Sequence, residues 1–167
     1  MGVQTTAVEY YSESIDRYFL TARIAEQKAL DALPQQFRKT GASFLTTRAT
    51  FRADQQQPVC RFYSPVPRGG SNSHFYGTGN DCALLNTINA VAYEGYDFAA
   101  VSPVNGACPS GTPAPITRMF NNKGATKNGN HRYVNNAVDK SQMLARGWVD
   151  EGVAFCALAA VPASSAQ

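Results

Sequence analysis

The stretch NSHFYGTGNDC at residues 72–82 places a histidine, His74, eight positions before a cysteine, Cys82. These two residue types can act as base and nucleophile in a hydrolase, or they can ligate a metal ion. His74 recurs as His131 later in the chain, whereas the position equivalent to Cys82 holds Ser141. A catalytic pair needs one dedicated arrangement, and no histidine stands at a metal-ligand spacing from a cysteine. We therefore expect no catalytic residue, no bound metal and no cofactor.

The elements that must position these residues recur along the chain in three related segments. The segments open with AVEYY, PVCRFY and PITRMF, and they close with TGASF, EGYDF and EGVAF. The aligned landmarks are Phe19, Tyr76 and Tyr133 at steps of 57 residues, and Gly41, Gly95 and Gly152 at steps of 54 and 57. Self-similarity at a fixed period predicts units that share a core. We expect a single domain over residues 1–167, with repeats at about 7–50, 58–102 and 114–158.

Each segment reads as strand, strand, helix, strand. An aromatic strand is followed by a turn rich in Gly, Ser, Asn and Pro, and then by a strand that carries an aromatic pair. ARIAEQKALDAL and AVDKSQMLARG are typical of helices, and a closing strand follows each of them. A unit of this size cannot bury its apolar face alone. The prediction is an α+β domain with pseudo-threefold symmetry around one core, and a β-trefoil, whose units lack a helix, is the alternative.

The composition indicates a folded extracellular domain. Charged residues are 16% of the chain and the net charge is +3, with the basic residues scattered, so nucleic acid is not an expected partner. No apolar run approaches the roughly 20 residues that span a bilayer.

Four cysteines in a chain rich in Gly, Pro and Asn indicate two disulfides and an oxidising compartment. Among the three pairings that four cysteines allow, proximity favours Cys60–Cys82 and Cys108–Cys156. We expect secretion, to the extracellular space, the periplasm or the cell surface.

Four side chains recur together in the second and third segments. They are Arg61, His74, Tyr76 and Glu94, which align with Arg118, His131, Tyr133 and Glu151, whereas the first segment has Glu9, Arg17, Phe19 and Thr40. The glutamate can accept a hydrogen bond from the arginine and pin the segment together, which is the favoured role, or both can hold sugar hydroxyls. The histidine either bonds a neighbouring turn or contacts a ligand. Because the glutamates lie in different segments, a carboxylate pair for glycoside hydrolysis is not expected.

The motifs RFYSP, SHFYGT and YEGYDF, with NHRY, GW and DEGVAF in the third segment, resemble a bacterial repeat family of unknown function. Its signature is Y-N-P…H-F-Y-T…A-E…G-W…Y-E-G-I-A-F. The resemblance runs from about Val8 to Cys156 and is weakest in the first segment, which has Arg17 for the histidine and KTG for YEG. Members of this family occur mostly as C-terminal modules of secreted proteins, including cell-wall hydrolases. The resemblance therefore implies an accessory module of a parent enzyme that binds carbohydrate or a cell surface.

These observations together predict a non-catalytic, lectin-like module that binds a glycan or cell-surface polymer. Tyrosine and tryptophan are favoured as surface rings because their polar edges tolerate water. The predicted ligand contacts are Arg61, His74, Tyr76, Glu94, Arg118, His131, Tyr133, Trp148 and Glu151. The alternative is a structural protein that self-assembles at the surface from the same repeats.

Overall fold

The computed structural model describes residues 3–49, 56–111 and 114–160. Within these residues the chain forms ten strands and three short α-helices. The strands are β1 (Gln4–Ser12), β2 (Arg17–Thr21), β3 (Arg38–Arg48), β4 (Gln56–Ser64), β5 (Ser73–Gly77), β6 (Ala92–Val101), β7 (Ala114–Phe120), β8 (His131–Val134), β9 (Val149–Ala157) and β10 (Ala159–Ala160). The helices are α1 (Ile24–Asp31), α2 (Asn80–Leu85) and α3 (Ala137–Ala145).

The predicted α+β class is wrong, because antiparallel strands dominate the fold. The helices contain only eight, six and nine residues, and Leu30 and Met143 are the buried residues within them. A helix that buries at most one side chain cannot form a layer of the core, so the sheet carries the packing. The β-trefoil alternative, whose units contain no helix, does not match the three helices of the described residues either.

The strands form one connected sheet through three local groups. Strand β1 pairs with β2 and β3, β4 with β5 and β6, and β7 with β8 and β9, all antiparallel. We call these groups the first, second and third segments. Pairing of β3 with β6, and of β6 with β9, links the segments, and β10 adds to β3.

Aromatic side chains from the three closing strands form the centre of the core. Phe44, Phe98 and Phe155 come from β3, β6 and β9, and their ring centroids lie 5.4–6.2 Å apart. All three are essentially inaccessible to solvent. Burying a phenylalanine side chain contributes about 1.5–3 kcal/mol, so this cluster is a large part of what holds the segments together.

Two tyrosine hydroxyls join the second strands of the three segments. The Tyr133 hydroxyl accepts from the Tyr76 N–H at 2.7 Å and donates to the Tyr76 carbonyl at 2.8 Å. The Tyr76 hydroxyl makes the same pair of bonds with the backbone of Leu20. Strands β2, β5 and β8 are therefore connected by side chain to backbone bonds. In the strand pairing, Leu20 lies opposite Glu9, and Tyr76 lies opposite Arg61. The residue of the first segment that is equivalent to Tyr76 is therefore Leu20 and not Phe19.

The recurring glycines lie where the closing strands are irregular. Gly95 and Gly152 both have φ of +89°, a conformation that glycine adopts without strain. The register of β6 against β4 and of β9 against β7 shifts around them, as in a β-bulge. Glu94 and Glu151 precede these glycines, so each glutamate lies in a bulge.

The predicted disulfides are confirmed. Cys60–Cys82 joins β4 to α2, and Cys108–Cys156 joins the loop after β6 to β9. They close chain separations of 22 and 48 residues, and the loop-entropy relation gives about 3 and 4 kcal/mol for loops of these lengths. Two disulfides indicate an oxidising environment. None of the helices in the described ranges is long and apolar enough to cross a membrane.

Candidate functional site

The first candidate site surrounds Arg61 on β4. Its Nε donates to Glu94 Oε2 at 2.8 Å, and His74 Nε2 lies 3.2 Å from the same oxygen. Its Nη1 donates to Glu26 Oε2 at 2.7 Å and to Asp97 Oδ2 at 2.8 Å. The Arg61 side chain is only 4% exposed, whereas that of Glu94 is 30% exposed. The arginine is therefore a buried support, and the glutamate is the group that faces outward.

Two aromatic rings border these polar residues. The name Arg61 cluster is used below for the polar residues and the two rings together: Arg61, Glu94, His74, Glu26, Asp97, Phe19 and Tyr63. Phe19 on β2 lies under the Arg61 guanidinium at 5.1 Å and meets the His74 ring edge-on at 4.6 Å. Tyr63 on β4 stacks on His74 with centroids 4.9 Å apart. The residues border a cavity of about 320 Å³. Its lining residues are Ile15, Arg17, Tyr18, Phe19, Glu26, Leu30, Phe37, Arg61, Tyr63, Asn72, His74 and Glu94.

A similar arrangement, the Arg118 cluster, lies between the second and third segments. Arg118 Nε donates to Glu151 Oε2 at 2.8 Å, and His131 Nε2 lies 3.3 Å from that oxygen. Arg118 Nη1 donates to Asp81 Oδ2 at 3.3 Å, as Arg61 donates to Glu26. The guanidinium lies over Phe75 on β5 at 4.6 Å. The two clusters thus share an arginine, a glutamate, a histidine, a helical carboxylate and a ring from the preceding segment.

The two clusters differ in how they open to solvent. Arg118 and Glu151 line a polar groove of about 390 Å³ together with Asp81. His131 instead lines a neighbouring cavity of about 300 Å³, which it shares with His74. In the Arg61 cluster the arginine, glutamate and histidine all border one cavity. The Arg61 cluster is therefore the more complete candidate site.

Between the third and first segments, the corresponding region is closed. Arg132 on β8 donates to both carboxylate oxygens of Glu9 on β1, from Nε to Oε2 at 3.0 Å and from Nη2 to Oε1 at 2.8 Å, and it also lies 3.2 Å from Asp139. Thr40 donates to Glu9 at 2.7 Å. Both members of the Arg132–Glu9 pair are about 95% buried or more, and the adjoining cavity is only about 10 Å³. Such a space holds at most a water molecule, so this region cannot take a sugar.

The three aromatic rings among the predicted ligand contacts are buried, as Arg61 is, which corrects the assignment of these rings to the surface. Tyr76, Tyr133 and Trp148 are 1%, 5% and 7% exposed. The tyrosine hydroxyls are used by backbone groups of the neighbouring segment, and Trp148 packs in an apolar cluster with Met119. The polar edges of the two tyrosines thus meet protein partners and not water. The structure does bring together the other predicted residues, Arg61 with His74 and Glu94, and Arg118 with His131 and Glu151.

Sequence reasoning missed the residues that each cluster takes from the preceding segment. These are the rings of Phe19 and Phe75 and the helical carboxylates of Glu26 and Asp81. One signal was present, because each helix carries an acidic residue in its first turn. That recurrence is usually explained by the favourable interaction of a carboxylate with a helix N-terminus.

The electrostatics of the Arg61 cluster favour ionisation of its two partly exposed glutamates, whereas burial raises the pKa of the enclosed Asp97. Burial acts to raise the pKa of Glu94, but hydrogen bonds from His74 and Arg61 outweigh it, and the pKa is lowered. The same competition, with Arg61 as the main partner, lowers the pKa of Glu26. Glycoside hydrolysis needs one carboxylic acid whose pKa is raised so that it can protonate the leaving group. The two partly exposed glutamates of the cluster do not have this raised pKa.

The geometry contains no arrangement suited to a metal ion among residues 3–49, 56–111 and 114–160. Comparison with curated proteins and with solved structures finds no match. The profile of one family, described as a domain of unknown function (DUF5648), matches residues 6–158. Because this match spans nearly all of the strands, both clusters and both disulfides, the chain belongs to the DUF5648 family.

Proposed function

We propose that this protein is a non-catalytic extracellular module that binds carbohydrate, such as a glycan of the cell envelope. The observation that carries the proposal is the cavity of the Arg61 cluster, where the rings of Phe19 and Tyr63 stand beside the partly exposed Glu94 and His74. Sugar rings present apolar C–H faces and many hydroxyls, so their binding sites combine aromatic surface with polar groups. The cavity volume of about 320 Å³ is at the lower end of the range for small-ligand pockets.

The Arg118 cluster is the second site of the proposal. It repeats the arginine, glutamate and histidine contacts of the Arg61 cluster. This repetition supports a sequence unit that is present in three copies, of which the first has diverged. Two weak sites on one rigid domain gain avidity for a polymeric ligand, by roughly 100-fold or more where both can bind at once. Secretion is part of the proposal, and it is supported by the two disulfides. Attachment to a parent enzyme, as the resemblance implies, would direct that enzyme to its polymer.

The test is a glycan array followed by calorimetry with the best ligand, using two matched variants. Tyr63→Ala removes the ring that stacks on His74, whereas Tyr11→Ala removes the ring at the same place in the first segment, which pairs with Tyr18. We expect Tyr63→Ala to weaken binding about tenfold or more, as for a central aromatic contact, and Tyr11→Ala to leave it unchanged.

Three results would contradict the proposal. The first is that no glycan binds. The second is that the two variants lose affinity equally while both remain folded. The third is that the protein self-associates as its concentration rises, in size measurements, without binding any glycan. The last result would support the alternative of a self-assembling surface protein.

A further inference from the structure

The two glutamates of the clusters use their carboxylate oxygens unequally. Oε2 of Glu94 takes both Arg61 and His74, and Oε2 of Glu151 takes both Arg118 and His131. Within the described part of the chain, Oε1 of each glutamate has no hydrogen-bond partner. Each side chain is 30% exposed. Both clusters therefore offer a charged acceptor oxygen to a ligand.

The two arginines that line the cavity of the Arg61 cluster, by contrast, already donate to protein groups. Nε, Nη1 and Nη2 of Arg61 all donate to carboxylates. Arg17, the other arginine in the lining, donates from all three nitrogens to oxygens of the surrounding loops, among them Ser71 and Asn128. Both guanidinium groups are buried, so a negatively charged ligand would find no free cation among these two.

The cavity lining holds two carboxylates and two arginines, but the carboxylates are the more exposed. Arg61 is in contact with Glu26, Glu94 and Asp97, and the side chains of Glu26 and Glu94 are 28% and 30% exposed. Asp97 is fully buried and is also 3.6 Å from Arg23. The exposed charged groups of the cavity are thus two ionised carboxylates, with the 20% exposed His74 beside Glu94. Such a surface attracts ammonium groups and repels acidic sugars, even though the whole chain has a net charge of +3.

We propose that the Arg61 cluster binds the ammonium group of an amino sugar, with Glu94 Oε1 and Glu26 as acceptors and the Tyr63 and Phe19 rings against the sugar and its charge. Aromatic faces favour a nearby cation, and a partly desolvated ion pair with hydrogen bonds is stronger than one in water. The inference rests on the proposed function and names the class of glycan: deacetylated hexosamine polymers, in preference to acetylated or uronic acid polymers.

The test compares three oligosaccharides of equal length by calorimetry: chitosan, its fully N-acetylated counterpart and oligogalacturonate. At about pH 6 the carboxylates are ionised and glucosamine is largely protonated. We expect chitosan to bind about tenfold more tightly than the acetylated oligomer, and galacturonate not to bind. Glu94→Gln should remove most of this preference, because it should weaken the binding of chitosan more than that of the acetylated oligomer. Glu13→Gln, which removes an exposed glutamate outside the cavity, should leave the preference intact.

The outcomes separate this inference from the proposed function. Equal binding of the chitosan and acetylated oligomers, or tighter binding of galacturonate, overturns the inference and leaves glycan binding standing. Binding of no saccharide overturns both, and binding of oligolysine alone assigns the cluster to basic peptides and also overturns the inference. If Glu94→Gln fails to fold, Glu26→Gln replaces it. The order of affinities of the unmodified protein for the three oligosaccharides is decisive without any variant.

Discussion

The hydroxyl of Tyr133 is the most direct test of how the second strands are held together. It lies between the N–H and the carbonyl of Tyr76, at 2.7 and 2.8 Å, in a site that is 95% buried or more. Tyr133→Phe removes this oxygen alone and keeps the ring stacked on Phe155. The variant therefore leaves two buried backbone groups of β5 without this partner and changes little else.

The expected magnitude follows from the number of groups affected. A buried polar group that loses its hydrogen bond costs roughly 1–3 kcal/mol, and partial compensation between two adjacent groups gives roughly 2–4 kcal/mol in all. For a chain of this size, each 1 kcal/mol lowers the melting temperature by about 2–4 °C. We therefore expect Tyr133→Phe to melt roughly 4–16 °C below the parent.

The assay is urea unfolding followed by circular dichroism with the disulfides intact. Tyr96→Phe is the control, because this tyrosine is 51% exposed and its loss should change the free energy of unfolding by less than about 0.5 kcal/mol. If the two variants are equally stable, the hydroxyl does not join the strands as described.

Tyr133 also predicts an alkaline limit to stability. Burial raises its pKa above the ordinary value of 10.0, so it stays protonated in the folded state. Its contribution is complete below that value and is lost as the pH rises above it, because the unfolded chain ionises first. The loss above pH 10 should be smaller in Tyr133→Phe.

Two further predictions concern charged groups. Arg132→Leu leaves the 97% buried Glu9 side chain without its main partner, and we expect a loss of roughly 3–5 kcal/mol in urea unfolding, most of it recovered when Glu9→Leu is added. The hydrogen bond from His131 lowers the pKa of Glu151 below its ordinary 4.5, so the stability that this contact contributes is present above that pH and is lost as the pH falls through the lower, folded-state pKa. Glu151→Gln should flatten the decline in unfolding free energy below about pH 4.5.

Each of these predictions has an opposing result. A double variant as unstable as Arg132→Leu alone would show that an uncompensated buried charge is not the cause. A pH profile unchanged by Glu151→Gln would show that this glutamate is not ionised preferentially in the folded state.

Contacts within a segment could be predicted from the sequence. Cys60 and Cys82 were paired by proximity along the chain, and Arg61 with Glu94 by their place on the opening and closing strands. Neighbouring antiparallel strands bring such residues together wherever they fold, because the period of the strand sets which side chains are adjacent.

Contacts between segments were decided only by the tertiary structure. Phe19 meets Arg61, and Tyr133 reaches the backbone of Tyr76, across separations that no local pattern marks. The fold class was missed for a related reason: a helix pattern indicates that a helix forms, not how much of it the rest of the protein covers. The same applies to Trp148, whose polar edge suits either a wet surface or a buried partner. Burial is a property of what packs against a residue, and these neighbours come from distant parts of the chain.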